Sequence, residues 1–297
     1  MSNVLVSGLV NTETTVKVRQ FPIPYYPIDY PFFGVNTAVS GVAYNIALAL
    51  KTLGDQVTLA SMTGNDFAAD YIRRELHTQG IDCTGIKSCL KETASSVVLY
   101  DEEGRRQIYC DLKDIQEATY GFSADIFEQA DVVVACNINF NRELLRAAKE
   151  SGKLIATDVH VLSNVWDAYN RDFMECADVL FLSDEAIGDD YRGFIMELAH
   201  AYRPQIIVLG RGNKGAAMYL ESAARIVELP AVHVGDVVNT VGAGDALFSA
   251  FIHYYASGLD PIAALERAQT FASAKIRCSG ASRGFVTEQE VEAFLGA

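Results

Sequence analysis

Along the chain, short apolar runs of β type alternate with stretches whose apolar residues recur every three or four positions. The β-type runs fall at residues 4–10, 57–62, 132–135, 154–157, 179–182 and 206–209. Between them, residues 42–53 place Ile46, Ala47, Leu50 and Leu53 on one helical face, and Asp66 starts a second helix that runs toward His77 and stops at Gly80. Such alternation is the signature of βαβ units on a mainly parallel sheet. It predicts an α/β layered core.

Two segments break the pattern. Residues 21–33, Phe-Pro-Ile-Pro-Tyr-Tyr-Pro-Ile-Asp-Tyr-Pro-Phe-Phe, hold four of the seven prolines. Proline lacks the N–H that a ladder needs, so this stretch is neither helix nor central strand but an edge, a loop or an extended lid. Residues 97–100 and 107–110 are β-type runs around Asp101-Glu102-Glu103-Gly104, which suits a hairpin turn. Together they read as insertions, at about 14–34 and 93–114, that build a small β lid on a single domain spanning 1–297. Edge decoration or a dimer contact is the plainer alternative.

Composition narrows the function classes. Half of the 297 residues are hydrophobic and 21% are charged, which excludes global disorder. The 24 Lys and Arg against 38 Asp and Glu leave a formal net charge of −14, which repels nucleic acid and anionic membrane surfaces. A small anion held locally by backbone amides remains compatible with that sign. The six cysteines, at 83, 89, 110, 136, 176 and 278, form no C-x-x-C pair and read as reduced thiols. No apolar run approaches the roughly 18 residues that span a membrane, and the N-terminus lacks a basic leader. These features predict a cytoplasmic location.

The most informative stretch is Asn239-Thr240-Val241-Gly242-Ala243-Gly244-Asp245, followed by an apolar run to Tyr255. The run reads as a buried helix that starts at the Gly-Ala-Gly turn. Its first amides have no intrahelical partner and its dipole favours anions there, so Gly242, Ala243 and Gly244 form a candidate anion hole. Asp245 is then either a capping carboxylate or a base that takes a proton from a hydroxyl attacking phosphorus. Gly210-x-Gly212-x-x-Gly215 matches a dinucleotide fingerprint, but residues 216–220 after it read equally well as strand. The five histidines lack metal-ligand spacing, and His253 reads as a packed core residue.

Gly-Ala-Gly-Asp opening a late buried helix resembles the signature of the ribokinase-like (PfkB-type) carbohydrate and nucleoside kinases. The resemblance extends over essentially the whole chain. Gly8-Leu9-Val10-Asn11-Thr12-Glu13 is similar to the family's first strand, and Ser40-Gly41-Val42-Ala43-Tyr44-Asn45 to its N-terminal glycine motif. Thr63-Gly64-Asn65-Asp66 is similar to the turn after the next strand, and Gly210-Arg211-Gly212-Asn213-Lys214-Gly215 stands where the nucleotide loop stands. The resemblance implies a three-layer αβα fold with a mainly parallel central sheet and a small β-sheet lid. It also implies transfer of the γ-phosphoryl group of ATP, with Mg²⁺, to a primary hydroxyl of a sugar or nucleoside.

By that resemblance Asp245 is the base and Gly242, Ala243 and Gly244 the anion hole. Asn11, Glu13, Gly41, Asn45 and Asn137 would bind the acceptor, while Ser183, Gly210, Gly212, Gly215 and Thr240 would line the nucleotide side. Departures matter too. Asn239 stands where the family has an Asp that helps hold a monovalent cation beneath the anion hole, which leaves K⁺ open. Ser183-Asp184-Glu185-Ala186 replaces the Asn-x-x-Glu that orders the water around Mg²⁺, so Asp184 or Glu185 would substitute for it only through water. Val42 replaces a ribokinase Lys and Glu13 an Asp, which points away from plain ribose. Asn239, Cys136-Asn137-Ile138-Asn139 and residues 111–114 resemble the pseudouridine-kinase branch, in which Tyr25, Tyr26 or Tyr30 would stack on a base. A homodimer through the lid is a further expectation. The changed segment at 183–186 also raises the alternative of a non-catalytic nucleotide or sugar sensor, which Asp245 opposes.

Overall fold

The computed structural model describes residues 1–123 and 125–296, so positions 124 and 297 of the expected 1–297 domain lie outside the described residues. The chain opens with β1 (Asn3–Ser7), β2 (Asn11–Lys17), β3 (Val35–Ser40), α1 (Val42–Leu53), β4 (Gln56–Thr63) and α2 (Phe67–Thr78). Next come β5 (Ile86–Ser88), β6 (Ser95–Tyr100), β7 (Arg106–Asp111), α3 (Asp125–Glu128), β8 (Val132–Ala135) and α4 (Asn141–Glu150). The middle continues with β9 (Leu154–Val161), α5 (Arg171–Cys176), β10 (Val179–Ser183), α6 (Tyr191–Tyr202) and β11 (Ile206–Gly210). It ends with β12 (Ala216–Leu220), β13 (Arg225–Leu229), α7 (Ala243–Ala256), α8 (Pro261–Lys275) and α9 (Glu288–Leu295).

The central sheet has nine strands in the order β13-β12-β11-β10-β9-β8-β1-β4-β5. All neighbours pair in parallel except β11–β12 and β12–β13. Successive strand residues face opposite layers, as the period of two requires. Val4 and Val6, Val132 and Val134, and Val179 and Phe181 pack with α1, α7 and α8. Leu5, Val133 and Leu180 pack on the other side with α4, α5 and α6. This is the three-layer αβα arrangement of the ribokinase-like fold, and both faces of the sheet are covered, which is why its strands read as continuous apolar runs.

A second sheet of four strands, ordered β3-β2-β6-β7, stands apart from the first. The hairpin read at 97–110 is present: β6 and β7 pair antiparallel with Tyr100 opposite Arg106. Asp66 caps α2 by accepting from Ala69 N–H, and its other oxygen accepts from Thr93 N–H at 2.8 Å, which ties the end of β4 to the segment entering β6.

Two strand readings change. The run at 4–10 is not one strand: β1 ends at Ser7, and the chain crosses to the small sheet before Asn11. The crossing passes close to its neighbours, since a Cβ on Gly8 would stand 2.6 Å from Cys136 Sγ. β9 runs to Val161, four residues past the predicted end, because Asp158 and His160 interrupt the apolar pattern without interrupting the strand. Among the described residues no helix is long and apolar enough to cross a membrane.

Candidate active site

The loop from 237 to 242 leads into α7, whose N-cap Gly242 has φ +77°, a left-handed conformation that favours glycine. A Cβ there would also stand 2.5 Å from the Ala281 carbonyl oxygen. Ala243 N–H donates to the Thr240 carbonyl at 3.1 Å, and the first bond inside α7 runs from Ala246 N–H to Gly242 C=O at 3.0 Å. The amides of Gly244 and Asp245 lie between these two bonds and point outward from the helix start. Nothing stands within 4 Å of the place a Gly244 Cβ would take, so a ligand can approach the backbone there. The anion hole expected at Gly242, Ala243 and Gly244 is thus narrowed, since the Ala243 amide is already engaged.

Asp245 Oδ2 accepts a hydrogen bond of 2.7 Å from Asn45 Nδ2. Asn45 is positioned by Gly41, which precedes α1 with φ +104°. A Cβ on Gly41 would meet the Leu9 carbonyl oxygen at 2.4 Å, and Ala43 N–H donates to that same oxygen. Gly41 therefore serves the site by letting α1 dock on the β1–β2 crossing. Burial pushes the Asp245 carboxyl above the usual carboxylate range, and Asp158 adds to this; His160, the Asn45 bond and Lys275 work against it.

Of the residues expected to bind the acceptor, Asn11 is buried, with Nδ2 donating to Ser96 Oγ at 3.1 Å and Oδ1 without a partner. Asn45 Oδ1 is likewise buried and unpartnered. An unmet buried acceptor costs about 1–3 kcal/mol. Glu13, two residues along β2 from Asn11, accepts from Ser40 Oγ at 3.3 Å, and burial raises its carboxyl. Glu13 and Ser40 line a cleft of about 600 Å³ that lies between the small sheet and residues 237–241 and 279–283. Asn137 follows β8 and donates to Asn170 Oδ1 at 3.1 Å, while its carbonyl accepts from Tyr169.

Tyr25, Tyr26 and Tyr30 do not line the cleft. Asn11 pairs with Ser40 and Val16 with Val35, so the segment between β2 and β3 hangs from the end of the sheet away from Asn11. Tyr30 there stacks on Phe32, and Arg19 lies over the Tyr26 ring.

Three residues that sequence reasoning missed converge on Asp245. Asp158 is buried near the end of β9 and accepts from His160 N–H at 2.7 Å, with the His160 ring nitrogen 3.4 Å from its second oxygen. Burial opposes its charge, but His160 outweighs burial and holds the carboxyl below its usual range. In return Asp158 raises the imidazole to about 9, against burial and with help from Asp245. The third is Lys275, fully buried at the end of α8, whose Nζ donates to the Val241 carbonyl. Burial lowers its ammonium to about 8, while Asp245, Cys278 and Glu13 pull it back up. The available signals were Asp and His inside a β run, and a lone lysine in the helical stretch 271–276.

A family model for pfkB family carbohydrate kinases matches residues 1–288. The chain belongs to this family. It is 24% identical over 258 residues to the fructosamine kinase FrlD of Bacillus subtilis, covering 85% of this chain and 87% of that one. It is also 24% identical to the ATP-dependent ribose-1-phosphate kinase of Halopiger xanaduensis, covering 99% and 98%. Among solved structures, a microbiome-derived acarbose kinase, Mak1, superposes with a TM-score of 0.89 at 25% identity over the full length of both chains. Arabidopsis thaliana ribokinase complexed with ribose and ATP superposes at 0.84 with 18% identity, covering 99% of each chain or more. The protein is a phosphotransferase with a hydroxyl acceptor, which sets aside the non-catalytic sensor.

In this kinase, the glycine run at 210–215 does not open a helix. Residues 212–214 form one 3₁₀ turn, and β12 returns antiparallel to β11, so the dinucleotide reading fails. A Cβ on Gly215 would stand 2.1 Å from the Leu229 carbonyl oxygen, so this glycine lets β12 pass close to the end of β13. Ser183 ends β10 with its hydroxyl buried and unpartnered, and Gly210 ends β11 with Leu247 of α7 3.8 Å from where its Cβ would stand. Gly210 thus faces the first turns of α7, and Ser183 stands beside it in the β10–β11 pairing. Asp184 Oδ2 lies 3.8 Å from Arg211 Nε, and no cluster of three or more His, Cys, Asp or Glu among the described residues suits a metal ion.

Proposed function

We propose that the protein is an ATP-dependent kinase that transfers the γ-phosphoryl group directly to a primary hydroxyl of a sugar or nucleoside. The observation that carries this reading is the junction of Asp245, Asn45 and the outward amides of Gly244 and Asp245 at the start of α7. Asp245 accepts the proton of the attacking hydroxyl, and its raised affinity for a proton suits that task. The amides hold negative charge on the phosphoryl oxygens, a contribution commonly of about 3–4 kcal/mol per donor in the transition state. The unpartnered oxygens of Asn11 and Asn45 receive acceptor hydroxyls, Glu13 stands two residues along β2 from Asn11, and Asn137 is a further acceptor ligand. Ser183, Thr240 and the 210–215 loop take the nucleotide side. Mg²⁺, when bound with the nucleotide, neutralises phosphate charge.

The small sheet acts as the lid of this site, closing over the acceptor and excluding water. The segment between β2 and β3 exposes Tyr25, Phe32 and Phe33 almost completely, which supports a homodimer formed through the lid. The test of the function is an ADP-release screen over pentoses, hexoses and nucleosides with Mg-ATP. Turnover of at least one such acceptor is expected. Binding of Mg-ATP without turnover of any of them would overturn the assignment.

A further inference from the structure

The residues beneath the anion hole do not fit a dissociable K⁺. Asn239 offers no charge, and its Oδ1 already accepts from Val241 N–H at 2.7 Å. The Val241 carbonyl, the last before Gly242, is taken by the ammonium of Lys275. The same helix end also grips the loop: Val238 and Asn239 both donate to the Ile276 carbonyl, at 2.9 and 3.0 Å. The loop is therefore held from below by the end of α8 through three hydrogen bonds, one of them charged.

A lysine with no exposed surface has lost its hydration, and one carbonyl repays little of that loss. What surrounds it explains its presence. Glu13 and Asp245 face it from β2 and α7, Cys278 from the following turn, and the C-terminal end of α8 places its own negative dipole there. This is the environment of a bound cation, with the cation attached to the chain.

We propose that Lys275 is a tethered cation of the anion hole, fixing residues 238–241 in place of a dissociable K⁺, and that the protein works without K⁺. The location of the anion hole rests on the kinase reading above. Lys275 is a positioning residue: it acts on the Gly244 and Asp245 amides through Val241 and touches no ligand.

The test compares thermal melting and Mg-ADP affinity in potassium chloride and in choline chloride at equal ionic strength. The wild type is expected to show the same melting temperature and affinity in both. A melting temperature or affinity raised by K⁺ in the wild type would overturn the proposal. In choline, Lys275→Ala is expected to bind Mg-ADP at least about tenfold more weakly, and K⁺ or methylammonium to restore affinity by filling the vacated space. Lys275→Met fills that space without charge, so its loss should resist rescue. A folded Lys275→Ala that binds Mg-ADP as the wild type does, or that neither cation rescues, also overturns it. If the variants do not fold, the wild-type comparison decides. Melting of the unliganded protein needs neither nucleotide nor acceptor, so it separates this inference from a failure of the kinase reading.

Discussion

Asparagine at position 245 keeps the volume of the side chain and one oxygen to accept the Asn45 Nδ2 bond of 2.7 Å, but it removes the basic oxygen. Loss of a positioned base lowers kcat by roughly 10²–10⁴. At 1.36 kcal/mol per tenfold change this is a barrier increase of about 2.7–5.4 kcal/mol. Stability should move the other way. The folded state holds the Asp245 proton more tightly than the unfolded chain does, so this group favours folding below the ordinary carboxylate range, and that contribution is lost as pH rises through its raised value. At neutral pH the buried carboxylate opposes folding, and Asp245→Asn relieves it. The assay is coupled ADP release with the acceptor found by the screen, alongside urea unfolding at pH 7. The expected result is a large fall in kcat, Mg-ADP affinity within about threefold of the parent, and an unfolding midpoint that is unchanged or higher. A folded variant whose kcat stays within about threefold of the parent would refute the base assignment.

Three further outcomes follow from the same geometry. Asp158→Asn removes the carboxylate that raises His160, so the imidazole should titrate near the ordinary histidine value instead of about 9, as read from its ring-proton NMR shift. In the wild type, His160 favours folding fully below the ordinary histidine value, and that contribution fades as pH rises through about 9; the variant should lose this dependence. Gly242→Ala meets both a positive φ and the Ala281 carbonyl oxygen at 2.5 Å, so denaturant unfolding should show a loss of at least about 1–2 kcal/mol. Phe33→Lys on the exposed lid segment should convert the expected dimer to a monomer in sedimentation velocity, and a wild type that sediments as a monomer refutes the lid contact.

The layered core is legible in the sequence because both faces of the central sheet are covered and its inner strands β8, β10 and β11 are nearly continuous apolar runs. The start of α7 is legible as well, since two glycines before a buried helix leave few other readings. What local patterning misses is what assembles from distant parts of the chain. The crossing from β1 to β2 looks like continued strand because Leu9 and Val10 are as apolar as the residues before them; only the packing of Gly8 against Cys136 reveals the break. Lys275 lies 34 residues from the carbonyl it binds, and no spacing rule connects them. Asp158 and His160 appear in the sequence as polar interruptions that shorten the predicted strand, whereas the fold uses them at the end of β9, facing Asp245. The lid tyrosines err in the opposite sense: aromatic composition suggests a base platform, and the strand register sends them to the far end of the sheet.

A formal charge of −14 does not decide whether this protein can hold a nucleotide. At physiological ionic strength the screening length is about 8 Å, so surface carboxylates farther away have little effect on a phosphate at the start of α7. Buried groups decide instead, because they act at short range through a weakly polarisable medium. Around Asp245 these are the carboxylates of Asp245, Asp158 and Glu13 against the cations of His160 and Lys275. Burial pushes the Asp245 and Glu13 carboxyls toward their neutral forms, whereas His160 holds Asp158 below its usual range, so short-range pairing and not the charge of the surface sets the balance of the pocket. A cation fixed to the chain at Lys275 keeps that balance independent of the monovalent salt outside.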